Sequence, residues 1–426
     1  MARAKAELSS GTRLADYLAI GLLARVLPAE RVHEALNAHD VNSQRVRRLP
    51  AVVGAYYAIA LSLYPECSYQ AVFSAVAEGL AWASCSSAPA PVAKSSISEL
   101  RSRIGSAPLR DLVRTCSMPL ADAKTEPEAF YPGLRLVAID GTRMELPDEV
   151  DVAQAFGRPG SRTRQADYPQ ALCVVLAECA THAILGAAIG PYHADEWTLS
   201  QQLLGTLEPG MLCLADRGYN STEHWQQALA SGAQLLWLAS ESRLLSVLRM
   251  LGDGSYLSEI EPSAPAKRRR AKADPTAPVA KKTVVRVIEY QLKSLPNTQA
   301  RYRLITSLLD PAQAPAHELA VLYHQRWQIE SVFDELKTHL HQSRRTLRSK
   351  TAELVCQEFY GWVLAHWPSG ETLLTHRSIL TPRTNNMQTS HRALPNWPVD
   401  GPNHRNQESH GMNSWHRLAS KRTVLG

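Results

Sequence analysis

Two short apolar runs that each end in an aspartate constrain this chain more than any other feature. Residues 134–140 read Leu-Arg-Leu-Val-Ala-Ile-Asp, and residues 211–216 read Met-Leu-Cys-Leu-Ala-Asp. Runs of this length and texture suit strands buried on both faces, and a buried strand delivers its last side chain to a sheet edge. An isolated aspartate there is often only a turn former. Two of them, Asp140 and Asp216, ask for a sheet in which two strand ends lie together. Further strands are expected at 171–178, 182–189 and 234–239, with the first two as antiparallel neighbours. Helices are expected at 196–207 and 221–230, the latter capped by Ser or Thr.

The order strand, strand, strand, helix, strand, helix, strand is that of a ribonuclease-H-like α/β core. It is interrupted at 241–314 by a β-rich insertion, in which 283–292 and 300–309 alternate with period two as a half-buried hairpin should. A long helix at 315–341 resumes the core, followed by a helix at 352–366. Upstream, residues 12–120 repeat apolar residues at helical spacing between Pro28, Pro50 and Pro65, so a helical N-terminal domain over 1–125 precedes core segments at 130–240 and 315–366. From 367 onward Pro, Asn, His, Ser, Thr and Arg dominate without apolar period. That tail reads as atypical and disordered, and a frameshift or truncation that strips the helix at 352–366 of its packing partners is the expectation it raises.

The apolar fraction, 45%, excludes a wholly disordered chain. No apolar stretch reaches the roughly 20 residues of a membrane span, and no signal peptide is read at the start. The seven scattered cysteines form no C-x-x-C pair and read as reduced, buried thiols of a cytosolic protein. The net charge of +6 is unevenly placed. Lys267, Arg268, Arg269 and Arg270 form a basic run in the insertion, either a polyanion contact or a solvated linker. Lys94, Arg101 and Arg103 lie on a basic amphipathic segment, either a DNA-end contact or a solvated face. Arg143, Arg162, Arg164 and Arg217 flank the two aspartates. His193, Asp195 and Glu196 sit between a strand and a helix and read as a helix cap with favourable dipole charges rather than a metal site.

On an unbroken helix at 315–341, roughly 100° per residue places Tyr323, Arg326, Glu330 and Lys337 within about 60° of arc. Surface salt bridging accounts for such a face by itself. With Asp140 and Asp216, however, Glu330 completes a set of three hard oxygen ligands that suits Mg²⁺ or Mn²⁺, and a two-ion site clamps a scissile phosphate. Arg326 and Lys337 then suit phosphate oxygens, and Tyr323 a phosphate or a base.

The spacing Tyr323-x₂-Arg326-x₃-Glu330-x₆-Lys337, with Ile-Asp140-Gly-Thr and Ala-Asp216-Arg-Gly-Tyr, resembles the signature of the insertion-sequence-four family of bacterial DDE transposases. The resemblance runs from about residue 10 to about 366. It implies cut-and-paste transposition of an insertion sequence. Two Mg²⁺ or Mn²⁺ ions are expected on Asp140, Asp216 and Glu330, with Tyr323, Arg326 and Lys337 near the transposon-end phosphates. Water and then a 3′-hydroxyl act as nucleophiles, through a hairpin on the transposon end. Double-stranded terminal repeats and target DNA are the implied partners, a homodimer the implied synaptic unit, and the bacterial cytoplasm and nucleoid the implied location. Some family members flip a base onto an aromatic of the insertion; Trp237 and Tyr256 are the candidates, each also readable as packing. The alternative function is a catalytically impaired remnant, frameshifted at its C-terminus, that only binds transposon-end DNA.

Overall fold

In the computed structural model the described residues are 14–45, 49–83, 92–160, 166–219, 221–262, 268, 272, 282–291, 301–334 and 347–366. Six helices come first: α1 (Leu14–Val26), α2 (Ala29–Ala38), α3 (Ala51–Leu63), α4 (Tyr69–Ala83), α5 (Lys94–Ile104) and α6 (Ala107–Cys116). Pro28 and Pro50 occupy the N-cap positions of α2 and α3, where the missing N–H costs nothing. Gly105 ends α5 at φ 69°, a conformation that glycine adopts without strain.

The sheet comes next, from β1 (Phe130–Tyr131), β2 (Leu134–Glu145), β3 (Gln170–Glu178), β4 (Ile184–Pro191), β5 (Met211–Ala215) and β6 (Gln234–Leu238) to β7 (Arg249–Met250), β8 (Tyr256–Ile260), β9 (Thr283–Gln291) and β10 (Arg301–Thr306). The order is β4-β3-β2-β5-β6-β10-β9-β8-β7, with β1 paired to β2. The first five strands form the ribonuclease-H-like half: β2, β5 and β6 are parallel, while β3 and β4 are antiparallel to their neighbours. The insertion does not form a layer of its own. Its strand β10 pairs antiparallel with β6, so the insertion prolongs the core sheet. The expected hairpin is β9–β10, with Gln291 opposite Arg301.

Short helices lie between the strands: α7 (Val150–Phe156), α8 (Glu196–Ser200) and α9 (Thr222–Ala230). Helix α8 passes directly into a 3₁₀ segment, Gln201–Thr206, where one continuous helix is expected from the sequence. Ser221 caps α9 by accepting from the His224 amide at 3.0 Å.

Alternate residues of the central strands feed two cores. Leu136 and Ala138 of β2 with Leu212 and Leu214 of β5 join a cluster that continues into the N-terminal helices and α10 (Ala316–Tyr323), α11 (Gln328–Asp334) and α12 (Ala352–His366). Val137, Ile139, Cys213 and Ala215 join the other cluster, with Leu199, Trp225 and Trp237. The N-terminal helices and one face of the sheet therefore share one core.

Helix α12 is buried along most of its length. The expectation that its packing partners are gone is corrected here, because α3 and α6 cover it. Gly361 lies so close to α3 that a Cβ would stand 2.6 Å from the Ala58 carbonyl oxygen. The tail from 367 lies outside the described residues. Among those described, no helix is long and apolar enough to cross a membrane.

Candidate active site

Parallel pairing of β2 with β5 puts Ile139 opposite Ala215, so Asp140 and the next residue along, Asp216, stand side by side. Each has one oxygen held locally: Gly141 N donates to Asp140 Oδ1 at 2.8 Å, and Gly218 N to Asp216 Oδ1 at 2.7 Å. Burial pushes the Asp140 carboxyl above the usual carboxylate range, opposed by the Arg326 charge and the Gly141 amide and reinforced by Asp216. Like charges in a poorly solvated place produce this result.

The end of α10 and the 3₁₀ turn after it carry the next two groups. Buried Tyr323 donates its hydroxyl to the Ala215 carbonyl at 3.3 Å, one residue before Asp216. Arg326 donates from Nη1 to Asp140 Oδ2 at 2.6 Å, while its Nε is buried without a partner. Burial works against the guanidinium charge, but Tyr323, Asp140 and Asp216 together hold it above its ordinary value.

The single long helix expected at 315–341 is broken. Residues His324–Trp327 form a 3₁₀ turn between α10 and α11. Insertion aromatics pack against that turn: the His324 ring lies edge-on to Tyr290 and Tyr302, and Tyr290 Oη lies 3.1 Å from His324 Nε2. Four residues at about 120° rather than 100° rotate α11 by roughly 80° relative to α10. Tyr323 and Arg326 accordingly reach the aspartates, whereas Glu330 is exposed and, among the described residues, makes no hydrogen bond or ion pair. The expectation of one unbroken helix over this stretch is corrected on this ground. Residues 335–346, with Lys337, lie outside the described residues.

A different carboxylate approaches the aspartates. Glu196, the first residue of α8, comes from the opposite face of the sheet. A Cβ on Gly141 would lie 2.7 Å from its carboxylate, and one on Gly218 would lie 3.1 Å from its Oε2 and 3.0 Å from Asp216 Oδ1. Burial, then Asp216 and Asp140, push the Glu196 carboxyl up, with Arg143 opposing. The helix-cap reading holds for position alone: Asp195 is the N-cap residue but makes no side-chain capping bond. From the sequence, Glu196 reads with His193 and Asp195 as a helix cap rather than a metal site, because nothing near residue 196 says that it approaches the glycines at 141 and 218.

The remaining expected contacts divide. Arg217 is exposed and lies 3.7 Å from Glu241. Lys94 and Arg103 are exposed on α5, with Lys94 over the Tyr69 ring, and Arg268 is exposed. Arg101 is corrected: it is 4% exposed, donating to Gln357 Oε1 at 2.8 Å and Ser349 Oγ at 2.9 Å, which ties α5 to α12. Trp237 and Tyr256 are both buried, Trp237 against Trp225 and His224 and Tyr256 with its hydroxyl on Glu289, so both pack. Arg162, Arg164, Lys267, Arg269 and Arg270 lie outside the described residues.

Asp140 and Asp216 supply the hard oxygen donors that Mg²⁺ and Mn²⁺ prefer, so the chemistry of the donor set fits such ions. Among the described residues no three acidic, His or Cys side chains yet close on one point as ligands do.

The family models match in the order the fold displays. An insertion element 4 transposase N-terminal model covers residues 17–114, and a transposase DDE domain model covers 131–367, more than half of the chain. The chain belongs to the DDE transposase family. It is 30% identical over 287 residues to transposase InsG for insertion sequence element IS4 of Escherichia coli (strain K12), covering 65% of this chain and 60% of that protein. It is 28% identical over 148 residues to the putative transposase InsZ of the same organism, covering 34% of this chain and 49% of that protein. The matches thus span about half to three-fifths of these relatives. The cryo-EM structure of the piggyBac transposase synaptic complex with hairpin DNA aligns over 85% of this chain and 77% of that one, at a TM-score of 0.34 and 11% identity. At that score the likeness carries no argument.

Proposed function

We propose that this DDE-family chain cuts and joins DNA at the ends of an insertion sequence. The observation that carries the reading is the meeting of two strand-end aspartates with the first two residues of the Tyr-Arg-Glu-Lys spacing, one on the Ala215 carbonyl and the other on Asp140. A salt-bridged surface helix has no reason to send its tyrosine and arginine to two catalytic strand ends.

Two Mg²⁺ or Mn²⁺ ions, when bound, supply the positive charge that activates an oxygen nucleophile and stabilises the leaving oxygen of an in-line displacement. Asp140, Asp216 and Glu330 would hold them. Arg326 keeps an unpartnered Nε with which to grip a phosphate oxygen. Exposed Arg217, Lys94, Arg103 and Arg268 contact the DNA backbone. Water cleaves one strand, leaving a 3′-hydroxyl. That hydroxyl attacks the opposite strand and closes a hairpin on the transposon end, which is reopened and joined to target DNA by a homodimer. Arg101, buried and bonded to α12, takes no part in DNA contact.

The test is cleavage of an end-labelled terminal-repeat duplex with Mg²⁺, beside Asp140→Asn and Glu330→Ala. A hairpin product from the native chain alone is expected. Equal cleavage by Asp140→Asn refutes the reading, and end binding without any cleavage leaves the DNA-binding remnant in its place.

A further inference from the structure

The structure assigns Glu196 a place among the ligands of the divalent cation held by Asp140 and Asp216. The inference rests on the proposed two-aspartate site and adds to it a residue outside the Asp-Asp-Glu set.

Two independent observations converge on this position. The first is the space made for Glu196. A Cβ on Gly141, the residue after Asp140, would lie 2.7 Å from the Glu196 carboxylate, and one on Gly218, two residues after Asp216, would press on both Asp216 Oδ1 at 3.0 Å and Glu196 Oε2 at 3.1 Å. Among the described residues Glu196 forms no hydrogen bond or salt bridge, although Arg143 acts on it electrostatically. A structural glutamate at a helix start is expected either in water or on a backbone amide; this one is instead turned between two other acids.

The second observation is Tyr219. It is 0% exposed, and its hydroxyl has no hydrogen-bond partner. Burial acts on that hydroxyl most, followed by the charges of Glu196, Asp140, Asp216 and Cys213. A buried orphan hydroxyl costs free energy and persists where a further group completes it. A buried donor within electrostatic reach of these carboxylates and, among the described residues, without a partner suits an orienting hydrogen bond to a ligating carboxylate.

Gly141 N, Gly218 N and Arg326 hold oxygens of Asp140 and Asp216 in place, which explains why the three acids do not yet close on one point. Asp140, Asp216 and Glu196 would hold a divalent cation, whose charge would offset their mutual repulsion. Glu196 then supplies the acid from the α8 face of the sheet, while α10 and α11 serve the opposite face.

Mn²⁺ binding to the full chain, followed by electron paramagnetic resonance without DNA, tests this. Glu196→Gln is expected to weaken binding about ten-fold or more, as Asp216→Asn does, with Glu196→Asp intermediate. Native affinity in Glu196→Gln, alongside loss in Asp216→Asn, overturns the inference and leaves the two-aspartate site standing. Native affinity in both Asp140→Asn and Asp216→Asn defeats the two-aspartate site itself, and so does an absence of Mn²⁺ binding to the native chain. The fold of each variant is checked by circular dichroism. If Glu196→Gln is unfolded, Glu196→Asp decides: weakened binding supports the inference and native affinity overturns it.

Discussion

Arg326 Nη1 donates to Asp140 Oδ2 at 2.6 Å, joining residues 186 positions apart, with side chains only 12% and 16% exposed. In this arrangement the arginine neutralises the first aspartate, a task that a divalent cation would otherwise perform. The pair is therefore a structural tie between β2 and the 3₁₀ turn after α10.

Removing the arginine strands a poorly hydrated carboxylate. Arg326→Ala is expected to lose about 3 kcal/mol in metal-free urea unfolding, and 10 mM Mg²⁺, on the order of a working concentration for weak sites, is expected to shrink that deficit. An identical deficit with and without Mg²⁺ would mean that the cation does not take over the arginine's role.

His224 predicts an acid sensitivity. It is fully buried, beside Trp197, Tyr219 and Trp237, and burial lowers its pKa from 6.5 to about 4. Between those values the unfolded chain binds a proton that the native chain refuses, so stability rises with pH there and is lost as pH falls from 6.5 toward 4. The contribution is about 3 kcal/mol at most. His224→Phe removes the proton site, so its stability relative to the native chain should climb as pH falls over that window. A pH-independent difference between the two chains would refute this.

Helix α12 tests packing. Gly361→Ala gains about 1 kcal/mol of helix propensity but drives a methyl against the Ala58 backbone, which has little room to yield. A net loss of about 1–3 kcal/mol is expected from overpacking. Gly205→Ala, with nothing within 4 Å of its Cβ, should be neutral. Equal melting temperatures for both variants would argue that α12 stands off α3.

The α5 cations should separate by function. Lys94→Ala and Arg103→Ala are each expected to leave stability unchanged and to reduce the salt dependence of end-DNA binding by about one unit of slope. Arg101→Ala strands Gln357 and Ser349 and should cost about 3 kcal/mol. A normal melting curve for Arg101→Ala would refute the structural role.

Much of the fold was legible in the sequence because it is written locally. The two Asp-ended runs, the β9–β10 hairpin, the cap at Ser221 and the helices between prolines all arise from periodicity and turn chemistry within a dozen residues. Legibility failed where a partner from elsewhere in the chain decides. The 3₁₀ turn at 324–327 is packed by Tyr290 and Tyr302 of the insertion, so the unbroken helix expected there is interrupted. Arg101 looked like a solvated cation because its pattern is amphipathic, and only α12 shows that it is buried.

By itself, the sequence determined the element order, the two aspartates at adjacent strand ends and the motif spacing that marks the family, because each depends on side-chain alternation or on a short run of residues. Tertiary structure alone decided that the insertion extends the core sheet, that Arg326 bonds Asp140, and that Glu196 approaches from the other face of the sheet. Those outcomes depend on strand register and on close approaches between segments far apart in the chain, and no local pattern of residue types encodes such distances.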